Sequence, residues 1–128
     1  MQENLIFEYA IIRIVPLVER EEFMNVGIIL YCPAKKFLEC RIFLNEDRAN
    51  HFFNKKMDCL EIKKYLNAFQ QICSGSKQGG PIALLPQASR FRWLTATRST
   101  ILQTSKVHPG LSNNPELTLE RLFSELVV

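Results

Sequence analysis

Three apolar stretches bounded by turn residues occupy the first third of the chain, and their composition is typical of β-strands. Residues 5–15 are rich in β-branched and aromatic side chains and end at Pro16. A second stretch runs from Met24 to Cys32, and a third, from Phe37 to Leu44, alternates apolar and polar positions. Because the connections are short, the three stretches predict an antiparallel meander.

The apolar positions of the first two stretches also predict how they pair. Placing Arg13 opposite Asn25 aligns Ile11 with Gly27. In that register the even-numbered positions share one wholly apolar face, made of Ala10, Ile12, Ile14, Val26, Ile28 and Leu30. The odd-numbered positions, which include Arg13 and Asn25, form a mixed face. We therefore expect the core on the even-numbered face and any polar site on the other.

Later segments carry the 3.6-residue period and the end signals of helices. Asp58, followed by Glu61 at the third helical position, is an Asp variant of the capping box. The apolar stripe that follows consists of Cys59, Ile62, Leu66, Phe69 and Cys73. Asn114 followed by Pro115 predicts the start of a last helix. A shorter helix, capped by its first residue, is predicted over Asn45–Phe53.

The segment between the two long helices is less regular. The Gly- and Ser-rich residues 74–81 predict a flexible loop, and they lack the glycine spacing of phosphate-binding motifs. Residues 91–95 and 99–104 each predict a short strand. Residues 107–110 predict a turn.

Together these elements predict an α+β fold, formed by one domain spanning residues 1–128. We expect an antiparallel sheet of at least three strands, with helices near 58–73 and 115–127 packed on its even-numbered face. No apolar run approaches the roughly 20 residues of a membrane span, and the first residues lack the features of a signal peptide. A cytoplasmic protein without membrane partners is therefore expected.

The sequence predicts no metal site, cofactor or catalytic residue. The four cysteines, Cys32, Cys40, Cys59 and Cys73, contain no C-x-x-C pair and are expected to be buried reduced thiols. Glu46 and Asp47 are neighbours on a predicted helix, so their side chains diverge and do not favour metal binding. Ser99 and His108 lie in the same region, but both aspartates of the chain are far away in sequence, which argues against a hydrolase triad.

A first candidate polar site consists of Arg13, Glu22 and Asn25. An arginine opposite an asparagine, near a carboxylate, could bind an anion or the backbone of a partner. The alternative is a structural network that fixes the register of the hairpin and satisfies its own hydrogen bonds. Gly27, two residues further, predicts a bulge or close packing.

The charge distribution supplies a second candidate site. The formal net charge is only +3, but Glu61 is the sole acidic residue outside residues 1–58 and 116–128. The acid-free segment 62–115 contains Lys63, Lys64, Lys77, Arg90, Arg92, Arg98 and Lys106. If residues 91–95 form a strand, Arg90 and Arg92 share one face, and Arg98 and Lys106 could join them in an anion-binding patch. The alternative is that these bases pair with acidic residues from the two ends.

Several segments resemble a known family. They are Tyr9-Ala-Ile-Ile-Arg-Ile-Val-Pro16, Glu22-Phe-Met-Asn-Val-Gly-Ile-Ile-Leu30, Arg90-Phe-Arg-Trp-Leu94 and Arg98-Ser-Thr100. In these segments the chain resembles the bacterial domain-of-unknown-function family 3037, over nearly its whole length. The resemblance implies no activity, cofactor or catalytic residue. It implies a partner by association, because members are often encoded near HipA-like kinase proteins.

Three function classes follow. A non-enzymatic interaction or regulatory module, associated with a HipA-like kinase, is favoured, and an exposed apolar patch beside the sheet would support it. The alternative is a nucleic-acid- or phosphate-binding protein that uses the basic segment. An enzyme is the least favoured, because it requires a deep pocket in which polar groups such as Arg13, Glu22 and Asn25 converge.

Overall fold

The computed structural model describes residues 4–54, 57–98 and 100–128. Across those ranges the fold is α+β, as predicted, with a five-stranded antiparallel sheet and four α-helices. The strands are β1 (Leu5–Ile14), β2 (Met24–Cys32), β3 (Phe37–Ile42), β4 (Leu102–Thr104) and β5 (His108–Ser112). The helices are α1 (Glu46–Phe52), α2 (Cys59–Ser74), α3 (Gln87–Leu94) and α4 (Pro115–Leu126). None of these helices has both the length and the apolar character that crossing a bilayer requires.

The sheet has the order β3-β2-β1-β4, and β5 also pairs with β1. The pairs between β1 and β4 run from Ile12 to Ile14, whereas β5 pairs with Leu5–Tyr9. Strand β2 pairs with one edge of β1. Strands β4 and β5 therefore both pair with the other edge, one after the other, and together form an interrupted outer edge of the sheet. The predicted meander of the first three strands is confirmed.

A β-bulge interrupts the pairing of β1 with β2. Arg13 lies opposite Asn25, as predicted, but Gly27 lies opposite Ile12 rather than Ile11, so Val26 is an extra residue on β2. A one-residue shift turns every later side chain to the other face of the sheet. The prediction that all even-numbered positions share one apolar face is therefore wrong for the residues of β2 beyond the bulge.

The bulge divides the core between the two faces of the sheet. Ile29 and Tyr31 pack with the even-numbered residues of β1, under helices α2 and α3; we call this side the α2 face. Ile28 and Leu30 pack on the opposite side, under α4, which we call the α4 face. The prediction that both long helices share one face is therefore wrong. Since β2 is buried on both sides, each side needs its own covering helix.

The predicted helix starts are confirmed. Asn45, Asp58 and Asn114 each accept a hydrogen bond from the backbone N–H three residues later, at 3.0, 3.1 and 3.2 Å. Helix α2 buries most of its predicted stripe and ends at Gly75, whose φ of 74° is left-handed. The four cysteines are free thiols, and Cys32 and Cys73 are buried.

The middle segment differs from its prediction. Residues 87–94 form helix α3 rather than a strand, because Phe91 and Leu94 lie three positions apart and both become buried. Residues 108–110 of the predicted turn belong to β5. Strand β4 is shorter than the predicted strand, whose first residue, Ser99, lies outside the described residues. Residues 74–81, predicted as a flexible loop, include a short 3-10 turn at Lys77–Gly79.

Candidate functional site

Two cavities lie beside strand β4, one on each face of the sheet. The first has a volume of about 390 Å³ and lies between α2, the end of α3 and β4. Its apolar walls are Tyr65, Phe69, Trp93, Leu94, Ile101 and Leu102, and we call it the aromatic cavity. Such a volume is at the lower end of the range for ligand pockets.

The second cavity, of about 370 Å³, has a more polar lining than the first. Its charged residues are Arg13, Glu21 and Arg98, and we call it the charged cavity. Arg13 and its cross-strand partner Gln103 occupy odd positions, which place them on the α4 face. Arg98 and Gln103 line both cavities, so the two sites meet at the edge of the sheet.

Helix α2 supplies one wall of the aromatic cavity. Phe69 belongs to the buried stripe, whereas Tyr65 lies off that stripe and is 44% exposed. The Tyr65 hydroxyl donates to Oε1 of Glu61 at 3.2 Å, one helical turn earlier. This hydrogen bond holds the ring beside the cavity and places a carboxylate at its rim.

Arg98 orders the opposite wall. Its guanidinium lies 4.2 Å from the centroid of the Trp93 ring, which is a cation–π geometry. The same group donates to the carbonyl of Leu94 at 3.3 Å and to that of Trp93. These are carbonyls of the last helical turn, where a cation is favourable. Arg98 therefore caps the last turn of α3 and packs against Trp93, which remains 41% exposed.

The backbone N–H and C=O groups of successive β4 residues point alternately toward β1 and away from it. The N–H of Val15 donates to the carbonyl of Ile101 at 2.7 Å, and the N–H of Ser105 donates to that of Ile11 at 2.8 Å. In an antiparallel ladder these bonds recur at every second residue, so the N–H and C=O groups of Leu102 and Thr104 point outward.

Part of this outer edge is already satisfied. The Thr100 hydroxyl donates to the Leu102 carbonyl at 2.7 Å. The same alternation directs Pro109 outward in β5, and proline has no N–H to offer. Within the described residues, the groups left unpaired at the β4 edge are the N–H of Leu102 and both backbone groups of Thr104.

The first predicted site is only partly assembled. Arg13 lies opposite Asn25, but its guanidinium stacks 4.0 Å from the Phe23 ring centroid, and burial lowers its pKa. The side-chain amide of Asn25 donates to the Leu126 carbonyl at 3.2 Å, and Glu22 pairs with Arg20 at 2.6 Å. In the part of the chain that the structure describes, no hydrogen bond joins the three predicted residues.

The second predicted site is dispersed. Because residues 87–94 are helical, Arg90 and Arg92 do not share a face, and that part of the prediction is wrong. Arg92 makes two bonds to the Glu8 carboxylate, at 3.0 and 2.6 Å, and this pairing raises its pKa. Arg90 donates to the Leu85 carbonyl at 2.6 Å, and Lys106 is exposed. Arg98 instead joins Arg13 at the charged cavity.

Sequence reasoning missed Tyr65, Trp93 and Gln103. A signal existed for Tyr65, since a tyrosine outside the apolar stripe and four residues after Glu61 indicates an exposed ring with a polar partner. Trp93 and Gln103 had no comparable signal, because Trp93 was assigned to a strand where the chain is helical, and Gln103 to a strand that was predicted too long.

The comparisons with known proteins agree with the family resemblance. No curated protein and no solved structure matches the chain. One family model, described as "Protein of unknown function (DUF3037)", matches residues 9–127. That range contains both cavities and every segment that carries the resemblance. The chain therefore belongs to the DUF3037 family.

Proposed function

We propose that this protein is an interaction module that binds an extended segment of a partner protein at the β4 edge. One observation carries the proposal: the outward backbone groups of Leu102 and Thr104 run beside a cavity walled by exposed aromatic rings. Strand addition to a sheet edge takes its affinity from backbone hydrogen bonds and its specificity from neighbouring pockets. The β4 edge provides both.

The aromatic cavity supports a protein partner because of its walls. Tyr65 and Trp93 are amphipathic rings of the kind enriched at interfaces, and each is held by an internal contact, to Glu61 and Arg98 respectively. Rings that are already ordered lose little conformational freedom when a partner binds. This is the exposed apolar feature beside the sheet that an interaction module requires.

We propose the partner class and the setting by association with the family resemblance, not from the structure. HipA-like kinase proteins are the first partners to test, and we place the interaction in the bacterial cytoplasm. The nucleic-acid alternative has less support, because two of the basic residues are already paired with acids from the first part of the chain. Arg92 pairs with Glu8, and Lys63 pairs with Glu46 at 2.6 Å.

The test is a selection of random linear peptides displayed on phage, followed by fluorescence anisotropy with the selected peptides. Trp93→Ala should weaken binding by about tenfold or more, because it removes an exposed aromatic wall. Leu117→Ala is the matched control, since Leu117 is 65% exposed on α4, away from both cavities. Circular dichroism establishes that each variant is folded.

Two results would contradict the proposal. One is a selection that enriches no peptide above background; the other is a folded Trp93→Ala variant that binds the selected peptides as tightly as the wild type. A purified HipA-like kinase, titrated against the same two variants, tests the partner class separately.

A further inference from the structure

The two cavities flank one short strand, and this arrangement restricts what a bound segment can look like. Successive side chains of an extended chain point to opposite faces of a sheet. A segment paired with β4 would therefore send one side chain to the α2 face and its neighbour to the α4 face. At this edge those two directions lead to the aromatic cavity and to the charged cavity.

The charged cavity is suited to an anion. It presents two guanidinium groups, from Arg13 and Arg98, against the single carboxylate of the exposed Glu21. Arg98 already donates to the carbonyls of α3, but Arg13 donates no hydrogen bond within the described residues. Its Nε is buried without a partner. A carboxylate in this cavity would accept from a terminal N–H of Arg13, rather than from the inaccessible Nε, and would complement the net positive charge of the cavity.

The charged cavity and the unpaired backbone groups of β4 together define the kind of partner segment that would bind. Resting on the proposed function, we infer that the partner segment is extended and carries a large apolar residue directly next to Asp or Glu. The apolar side chain enters the aromatic cavity, and the neighbouring carboxylate contacts Arg13 in the charged cavity. Pro109 limits strand pairing along β5, so the contact is confined to the β4 edge.

Synthetic peptides in a Gly- and Ser-rich host test this spacing. One peptide carries Phe directly before Glu, a second reverses the order, a third separates the two by one residue, and a fourth replaces Glu with Gln. We expect one of the adjacent pairs to bind about tenfold more tightly than the separated pair and the Gln peptide. In that complex, hydrogen exchange at the amides of Leu102 and Thr104 should slow, because they become paired.

Protein variants test the role of Arg13. Arg13→Gln should remove the preference for Glu over Gln, and Arg13→Glu should shift the preference toward a Lys-bearing peptide. Arg121→Gln is the matched control, because Arg121 is an exposed arginine on α4 and its substitution changes the net charge by the same amount. The peptide series on the wild-type protein still decides the question if an Arg13 variant fails to fold.

The outcomes separate the two proposals. Binding of apolar peptides with no preference for an adjacent acid overturns this inference and leaves the proposed function standing. Equal binding of the adjacent and separated pairs also overturns it, because both side chains of a separated pair would point to the same face. Absence of binding by every peptide, together with a failed phage selection, overturns both.

Discussion

Ile12 and Gly27 face each other in the last pair before the bulge of the β1–β2 ladder. A Cβ atom on Gly27 would lie 2.7 Å from the backbone oxygen of Arg41 and 3.1 Å from Cδ1 of Ile12. Neighbouring atoms therefore leave no room for a side chain at this position, which confirms that Gly27 permits close packing. Gly27→Ala should lower the free energy of unfolding by about 1–3 kcal/mol, as overpacking does. Urea unfolding measures this free energy, and an unchanged midpoint would contradict the prediction.

Helix α2 offers a matched pair of leucines for testing its buried face. Leu66 is 5% exposed within the core, whereas Leu60 is 69% exposed on the same helix. Leu66→Ala should reduce the free energy of unfolding by about 2–5 kcal/mol through lost burial and a residual cavity. Leu60→Ala should change it by about 0.5 kcal/mol or less. Similar urea midpoints for the two variants would show that the buried face is misassigned.

Stability should depend on pH through Cys73. A side-chain hydrogen bond with Cys40, together with burial, raises the pKa of the Cys73 thiol above its ordinary value of 9.0. The folded state holds this proton more tightly than the unfolded chain does. The stabilising contribution is therefore complete below pH 9.0 and is lost as the pH rises above it.

The corresponding experiment compares the wild type with Cys73→Ala by urea unfolding at several pH values. The free energy of unfolding of the wild type should fall more steeply above about pH 9, because only the wild type must release this proton. Parallel pH profiles for the two proteins would argue against the assignment to Cys73.

The pair between Arg92 and Glu8 should contribute modestly to stability. It joins α3 to β1 through two hydrogen bonds, but the Arg92 side chain is 57% exposed, so solvent screens the interaction. Arg92→Gln should cost about 1 kcal/mol or less, and high salt should reduce the loss. Glu8→Gln completes a double-mutant cycle. If the double variant loses the sum of the two single losses, the pair has no coupling energy.

The features that sequence reasoning predicted well depend on neighbours in the chain. The caps at Asn45, Asp58 and Asn114 each depend on a backbone group only three residues away. The stripe of α2 likewise repeats every three or four residues, so a local pattern defines it. These elements are therefore visible in the sequence without knowledge of the tertiary structure.

The features that were missed depend on distant parts of the chain. The bulge at Val26 adds one residue to β2, and the neighbouring Gly27 indicated a bulge or close packing without deciding between them. Residues 91–94 fit a strand or a helix equally well until Phe91 and Leu94 have α2 to pack against. The aromatic cavity brings together Tyr65 of α2, Trp93 of α3 and Leu102 of β4, which belong to three separate elements of the chain.

The three-residue length of β4 has a kinetic consequence. A paired segment gains only a few backbone hydrogen bonds there, and each contributes a net of about 0.5–1.5 kcal/mol. Differences in affinity between related complexes arise mainly in the dissociation rate, so a complex at this edge should have a short residence time. Such a complex would allow one partner to replace another quickly, and side chains rather than backbone pairing would decide which partner stays longest.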